Sequence, residues 1–143
     1  MSQNPNANPQ QNPLPNPAGR LPLVPTLLLF VAAVAAWAGW LGWDQHRDVH
    51  PDGSVSGPYQ PWQVIGLAVT LVLPVCWAAY RDHGRAAVAG TTGGLTVAAA
   101  FDWSDDASGL FALGAGMVLV GTLAATSAVC TAVSAVTRGR QQR

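Results

Sequence analysis

Acidic and imidazole side chains alternate in the stretch "WDQHRDVHPDG", which runs from Trp43 to Gly53. Within it, Asp44, His46, Asp48 and His50 occupy every second position. In an extended chain, alternate side chains share one face at steps of about 6.6 Å, so two neighbours could bind the same ion. Imidazole and carboxylate groups are ligands of zinc and copper. This spacing raises the hypothesis of a metal site.

The second half of the same stretch favours a structural interpretation. Pro51, Asp52 and Gly53 follow the order of a type I turn closed by a glycine bulge, which predicts a short β-hairpin in a solvated outer loop. A calcium loop is excluded, because Pro51 interrupts it and Tyr59 stands where the bidentate glutamate belongs. The hairpin is the favoured interpretation, and a zinc or copper site is the alternative.

Asp102 is the second candidate for chemistry, because it directly follows an apolar segment that ends at Phe101. An acid deep inside a membrane span would indicate a proton relay or a cation site. Asp102 instead falls at the end of its segment, close to Asp105 and Asp106, where water can reach it. A helix-end acid is therefore the simpler interpretation, and an ion-related role is the alternative.

Known catalytic patterns are absent from the sequence. It contains no CxxC, GxxxxGK, HExxH or GxSxG motif. Cys76 and Cys130 are expected to be small apolar core residues on the reducing side of a membrane. We expect a protein that is not an enzyme and that needs no cofactor.

Four apolar segments must position these groups. Half of the residues are apolar and only 10% are charged, against about a quarter in soluble domains. The segments are predicted to be transmembrane helices, and the first would be about 28 Å long. A cleaved signal peptide is the alternative for the first segment, but signal cores are only about 7 to 15 residues long. The predicted spans cover about residues 25–43, 62–80, 86–102 and 109–134.

The predicted fold is all-α, an integral membrane bundle of four transmembrane helices within residues 22–137. Residues 1–21 are rich in Asn, Pro and Gln and are predicted to be a disordered tail, with a proline-rich docking peptide as the alternative. Residues 138–143 are predicted to be a basic cytoplasmic tail. The third segment is short and rich in Gly, Thr and Ala, so it should be the most enclosed by protein.

The charges divide between the two sides of such a bundle. Every base is Arg and every acid is Asp. With four crossings, one side carries six arginines and a single acid, Asp82, whereas the other carries six aspartates and a single base, Arg47. Because arginine in short loops is retained in the cytoplasm, the protein is predicted to lie in the cell (plasma) membrane with both termini inside. The six inner arginines are Arg20, Arg81, Arg85, Arg138, Arg140 and Arg143.

Small residues form a strip along the third segment, because they recur at every fourth position. Such strips let helix backbones approach closely in lipid. The strip predicts packing within the bundle, with a homo-oligomer or a larger membrane complex as the alternative. The neighbouring hydroxyls of Thr91, Thr92 and Thr96 can return to the backbone, so these residues need not line a pore. The candidate packing residues are Ala86, Gly90, Gly94 and Ala98, together with Gly116 and Gly121 in the fourth segment.

Two further stretches carry a family resemblance. These are "SGPYQPWQVIG" and "FDWSDDASGLFALGAGMVLVGT". Through them the chain resembles small uncharacterised integral membrane proteins of actinobacteria, over about residues 43–122. The absence of Lys suits a GC-rich genome. The resemblance implies four membrane spans and no catalytic residues.

Together these features predict a non-catalytic membrane protein that acts as an accessory or interaction component. The alternative is an oligomeric subunit of a small transporter or channel. A nucleic-acid partner is excluded, because a formal net charge of zero leaves no basic face to neutralise phosphates.

Overall fold

The computed structural model describes residues 21–43, 59–104 and 109–141, and these residues form four α-helices. The prediction of an all-α fold is confirmed for this part of the chain, which contains no strand. The N-terminal tail and the hairpin predicted near Pro51 lie outside the described residues. The helices are α1 (Leu23–Trp40), α2 (Pro61–Tyr80), α3 (Gly84–Asp102) and α4 (Phe111–Gln141).

Three of these helices, α1, α2 and α4, are long and apolar enough to cross a membrane. The remaining helix, α3, is long enough to cross a membrane but not apolar enough, because Gly, Thr and Ala make up most of its sequence. Nine of its nineteen residues are buried, more than in α1 or α2. The expectation that this segment is enclosed by protein is therefore confirmed.

Proline and glutamine set the starts of the first two helices. Pro25 fits within the first turn of α1 because the amides there have no partner inside the helix. Pro61 occupies the first position of α2 for the same reason. The Gln60 amide also donates to the Gln63 side chain at 2.6 Å, which completes a reciprocal cap.

A tight turn joins α2 to α3. Asp82 adopts a left-handed backbone conformation with φ of 59°, which Asp tolerates better than most residues. The amides of Asp82 and His83 donate back to the carbonyls of Ala79 and Ala78, so the last turn of α2 is capped. This turn makes α2 and α3 neighbours that run in opposite directions.

The last helix is longer than the sequence predicts. α4 continues past residue 134 and ends at Gln141, so Arg138 and Arg140 belong to its last turn. No proline ends it earlier, and arginines are favourable at the negative end of the helix dipole. The segment predicted to be a basic tail is thus helical at least as far as Gln141.

Pairwise contacts fix an up-down-up-down arrangement. Trp40 lies against Gly66, Trp103 against Gly114, and Cys130 against Gly84. α3 is central and touches each of the other three helices, whereas no described Cα atom of α1 lies within 8 Å of one in α4. The bundle therefore has two ends. The arginine end holds Arg81, Arg85, Arg138 and Arg140, and the tryptophan end holds Trp40, Trp43, Trp62 and Trp103.

Large apolar side chains cover the outside of the bundle. Phe101 is 82% exposed, and leucines and valines of α1, α2 and α4 are exposed along their lengths. Soluble monomers rarely show apolar patches of more than a few hundred Å². The exterior is therefore compatible with a membrane protein.

Candidate functional site

The small-residue strip of α3 packs against α1 of the same chain. A Cβ atom added to Gly90 would lie 2.4 Å from the Thr26 carbonyl oxygen, and one added to Gly94 would lie 2.6 Å from the Phe30 carbonyl oxygen. Ala86 is also buried. This close approach of two backbones leaves no room for a partner on this part of the strip, and Ala98 beyond it is buried as well.

The two small residues proposed on α4 have different surroundings. A Cβ atom on Gly116 or Gly121 would meet nothing within 4 Å. Gly121 is exposed, and α4 is the least covered of the three apolar helices. The six residues of the predicted packing set therefore do not form one surface, because four are buried inside the bundle, Gly116 is half-buried, and Gly121 is exposed at the edge of a cavity between α2, α3 and α4.

Aromatic rings and Asp102 meet at the tryptophan end. Trp37 packs edge-on against Tyr59 and Trp103, with ring centroids 6.0 Å apart in both pairs. The Tyr59 hydroxyl donates to a carboxylate oxygen of Asp102 and accepts from the indole nitrogen of Trp103 at 3.1 Å. Asp102 thus connects the start of α2 to the end of α3.

This arrangement keeps the Tyr59 phenol protonated. Burial raises the pKa of Tyr59 well above its usual value, and the hydrogen bond to the Asp102 carboxylate raises it further. A phenol that stays protonated cannot accept a proton, and its hydrogen bonds join the start of α2 to the end of α3, so the geometry favours a structural role for this pair. Asp102 lies at the end of its helix, as the sequence predicts, and an ion-related role for it stays a prediction.

A second contact at this end was not predicted from the sequence. The Trp40 indole lies flat against Gly66, where a Cβ atom would be only 2.5 Å from the ring. Its nitrogen donates to the Thr70 hydroxyl at 3.0 Å, and that hydroxyl donates to the Gly66 carbonyl at 2.8 Å. Gly114 makes similar room for the Trp103 ring at 2.7 Å. A single glycine in an apolar helix gives no sequence signal for such a contact.

An apolar cavity of about 370 Å³ lies between α2, α3 and α4 near the middle of the bundle. Its walls include Leu67, Leu71, Leu95 and Val118. Thr91 also lines it, and its hydroxyl is buried without a hydrogen-bond partner among the described residues. The cavity could hold a small apolar molecule, with the Thr91 hydroxyl as one polar contact.

The α3 threonines do not use the backbone carbonyls available to them. The hydroxyls of Thr91, Thr92 and Thr96 have no partner in the part of the chain that the structure describes. By contrast, the half-buried Thr26 and the buried Thr126 both donate to the carbonyl four residues earlier. Burial alone therefore does not decide whether this bond forms, and the packing around each branched side chain selects its rotamer.

The metal hypothesis concerns residues outside the described ranges. Asp44, His46, Asp48 and His50 all fall between residues 43 and 59, outside the residues that the structure describes. Within residues 21–43, 59–104 and 109–141, no three His, Cys or Asp side chains are grouped to hold a metal ion. Both cysteines are free thiols, with Cys130 buried and Cys76 partly buried.

In comparisons with known proteins, no family model, no curated protein and no solved structure matches this chain. The resemblance to actinobacterial membrane proteins therefore stays an expectation from the sequence. The function has to be argued from the geometry of the bundle.

Proposed function

We propose that the chain is a four-span protein of the cell membrane, with both termini in the cytoplasm, that has no catalytic activity of its own. It would serve as an accessory or interaction component, either as a homo-oligomer or within a larger membrane complex. The observation that carries this proposal is the distribution of apolar and charged groups over the bundle.

The outer surface of α1, α2 and α4 is apolar over lengths that suit a bilayer. In water, burial contributes roughly 25 cal/mol for each Å² of apolar surface, so this exterior favours lipid over water. Trp43 and Trp62 are exposed at one end, and Trp77 is exposed near the other with the Arg81 guanidinium 5.3 Å from its ring. Tryptophans at both ends are typical of the two interfaces of a membrane.

The position of its charges allows α3 to cross as well. Arg85 and Asp102 stand at opposite ends of this helix, which places them about 26 Å apart along the axis. The hydrocarbon core of a bilayer is about 30 Å thick, so both charges can reach the interfaces. The neighbouring helices cover the less apolar surface of α3. The extensive contacts of α3 with α1 and α4 support a crossing by α3 in this proposal.

Cysteine labelling tests the number of spans and their direction. In a chain with Cys76→Ala and Cys130→Ala, single cysteines would replace His83 and Ser104 in turn. We expect a membrane-impermeant maleimide to label Ser104→Cys in intact cells, and His83→Cys only after the membrane is permeabilised. Labelling of both from the same side would exclude a crossing by α3. Labelling of His83→Cys alone would reverse the orientation.

The interaction role predicts that the open side of α4 carries an association. Gly116→Leu should lower the mass of the protein measured by light scattering in mild detergent, because the added side chain fills a surface where backbones can approach. Val120→Leu is the matched control, since Val120 is already large and 64% exposed. An unchanged mass for Gly116→Leu would remove this surface from the proposal.

The central cavity supports the second candidate, a subunit of a small transporter or channel. A cavity with a buried hydroxyl near mid-membrane could admit a small neutral solute. No ionisable side chain lines it in the described chain, which disfavours an ion as the transported species. Flux of a neutral solute into proteoliposomes that falls in Thr91→Val would support this candidate, and a protein without flux would reject it.

A further inference from the structure

A second groove lies between α3 and α4 at the arginine end. It has a volume of about 680 Å³, and its walls include Val88, Leu123 and Ala135. Arg85 from the start of α3 and Arg138 from the last turn of α4 both line it. The groove therefore combines an apolar body with two positive charges that come from different helices.

No acid neutralises these two arginines within the described residues. Neither guanidinium forms an ion pair there, and both side chains are exposed at the mouth of the groove. Asp82 is the single acid at this end of the described bundle, and it forms no ion pair with them. Two guanidinium groups on the wall of one groove favour an anionic ligand.

The shape of the groove identifies the rest of the ligand. Leu123 and Arg138 are fifteen positions apart on α4, which corresponds to about 22 Å along the helix. This distance matches one leaflet with its headgroup region, which is about half of the 40–45 Å total thickness of a bilayer. A compact phosphate ion would use only the arginine end, whereas an acyl chain would fill the apolar length.

We propose that this groove binds an anionic glycerophospholipid, whose phosphate contacts Arg85 and Arg138 and whose acyl chain lies along α4 toward Leu123. The Ser127 and Ser134 hydroxyls line the same groove and provide partners for ester oxygens of the lipid. Basic pockets between helices at the cytoplasmic surface are suited to such headgroups. The inference rests on the proposed membrane location and places the lipid in the inner leaflet.

Native mass spectrometry of the detergent-solubilised full chain tests the proposal. The probes are phosphatidylglycerol and phosphatidylcholine with identical acyl chains, and inorganic phosphate. We expect phosphatidylglycerol to bind at least about 10-fold more tightly than phosphatidylcholine, because the cationic choline offsets the phosphate charge and is repelled by the two arginines, whereas phosphatidylglycerol is a net anion. Equal binding of the two lipids would overturn the proposal. Competition by millimolar inorganic phosphate as effective as that by the lipid would also overturn it.

Variants locate the site. Arg85→Gln and Arg138→Gln should each weaken phosphatidylglycerol binding about 10-fold, the factor that corresponds to losing one charged contact. Arg140→Gln removes the same charge from the same helix end but does not line the groove, so it should change binding less than twofold. An equal loss in all three variants would show a general charge effect and overturn the site.

A third variant separates the groove from the charge. Ala135→Trp leaves both arginines in place but fills the apolar wall, so it should abolish lipid selectivity while circular dichroism and thermal unfolding stay unchanged. Retained selectivity in a folded Ala135→Trp would contradict the proposed path of the acyl chain. Lipid selectivity in detergent does not depend on orientation, so reversed cysteine labelling would reject the topology alone and loss of selectivity would reject the lipid site alone.

Discussion

Gly94→Ala is the substitution whose effect follows most directly from the geometry of the bundle. An added Cβ would lie 2.6 Å from the Phe30 carbonyl oxygen and 2.8 Å from the Ala33 Cβ atom. Ordinary contacts begin near 3.4 Å, so the first distance is 0.8 Å too short (3.4 − 2.6). Neither neighbour is the end of a flexible side chain, so α1 and α3 must move apart.

Gly93→Ala provides the matched control on the same helix. A Cβ atom there would lie 3.6 Å from the Phe30 ring, which is an ordinary contact. Both substitutions add the same methyl group and gain the same helix propensity, up to about 1 kcal/mol. Overpacking costs about 1–3 kcal/mol. The difference between the two variants should therefore be about 1–3 kcal/mol, with Gly94→Ala the less stable.

Unfolding by SDS in mixed micelles, followed by tryptophan fluorescence, measures this difference. A gap of 1.4 kcal/mol corresponds to about a tenfold change in the folded-to-unfolded ratio, which such a titration resolves. Gly94→Ala with the stability of Gly93→Ala would refute the reasoning, because α1 and α3 would then not approach as closely as described.

Two other predictions concern the tryptophan end. In Tyr80→Phe, Tyr59 is the single tyrosine, and its tyrosinate absorbance at 295 nm should appear at higher pH than that of free tyrosine, whose pKa is about 10. Adding Asp102→Asn should shift this titration to lower pH, and no shift would contradict the hydrogen bond. The Tyr59 pKa is raised in the folded state, so the protonated phenol stabilises the folded protein. This contribution to the free energy of unfolding is complete below pH 10 and is lost as the pH rises further. Gly66→Ala should destabilise the protein by about 1–3 kcal/mol, because the added methyl group displaces the Trp40 ring. Gly39→Ala is the control, since an added methyl group there meets open space and should not destabilise the protein. Equal stabilities of the two variants would contradict the contact between Trp40 and Gly66.

The helices could be predicted from the sequence because apolar runs without charge leave few alternatives. The ends of the helices were less predictable, since α4 continues through Arg138 although its apolar residues end earlier. The strip with Gly90 and Gly94 was visible because its spacing repeats, but repetition does not identify the partner. Whether α1 or another chain covers it depends on tertiary packing.

Contacts between distant segments could not be predicted at all. Tyr59 and Asp102 are 43 positions apart, and the sequence around neither residue indicates that the two form a hydrogen bond. Gly66 and Gly114 each accept a tryptophan ring from another helix, which requires the relative rotation of two helices to be known. The state of the α3 threonine hydroxyls could not be predicted for a related reason, because local rules allow a backbone bond but the packing around each side chain decides the rotamer.

The helix with the most buried surface is also the one least able to enter lipid alone. In the proposed four-span topology, α3 is too rich in glycine and threonine to insert well alone, so it would need to pack against an earlier helix during synthesis. α1 is the helix whose backbone it touches, at Gly90 and Gly94. For that topology we expect ordered biogenesis, with the first two helices retained at the translocon until α3 emerges and can leave with them.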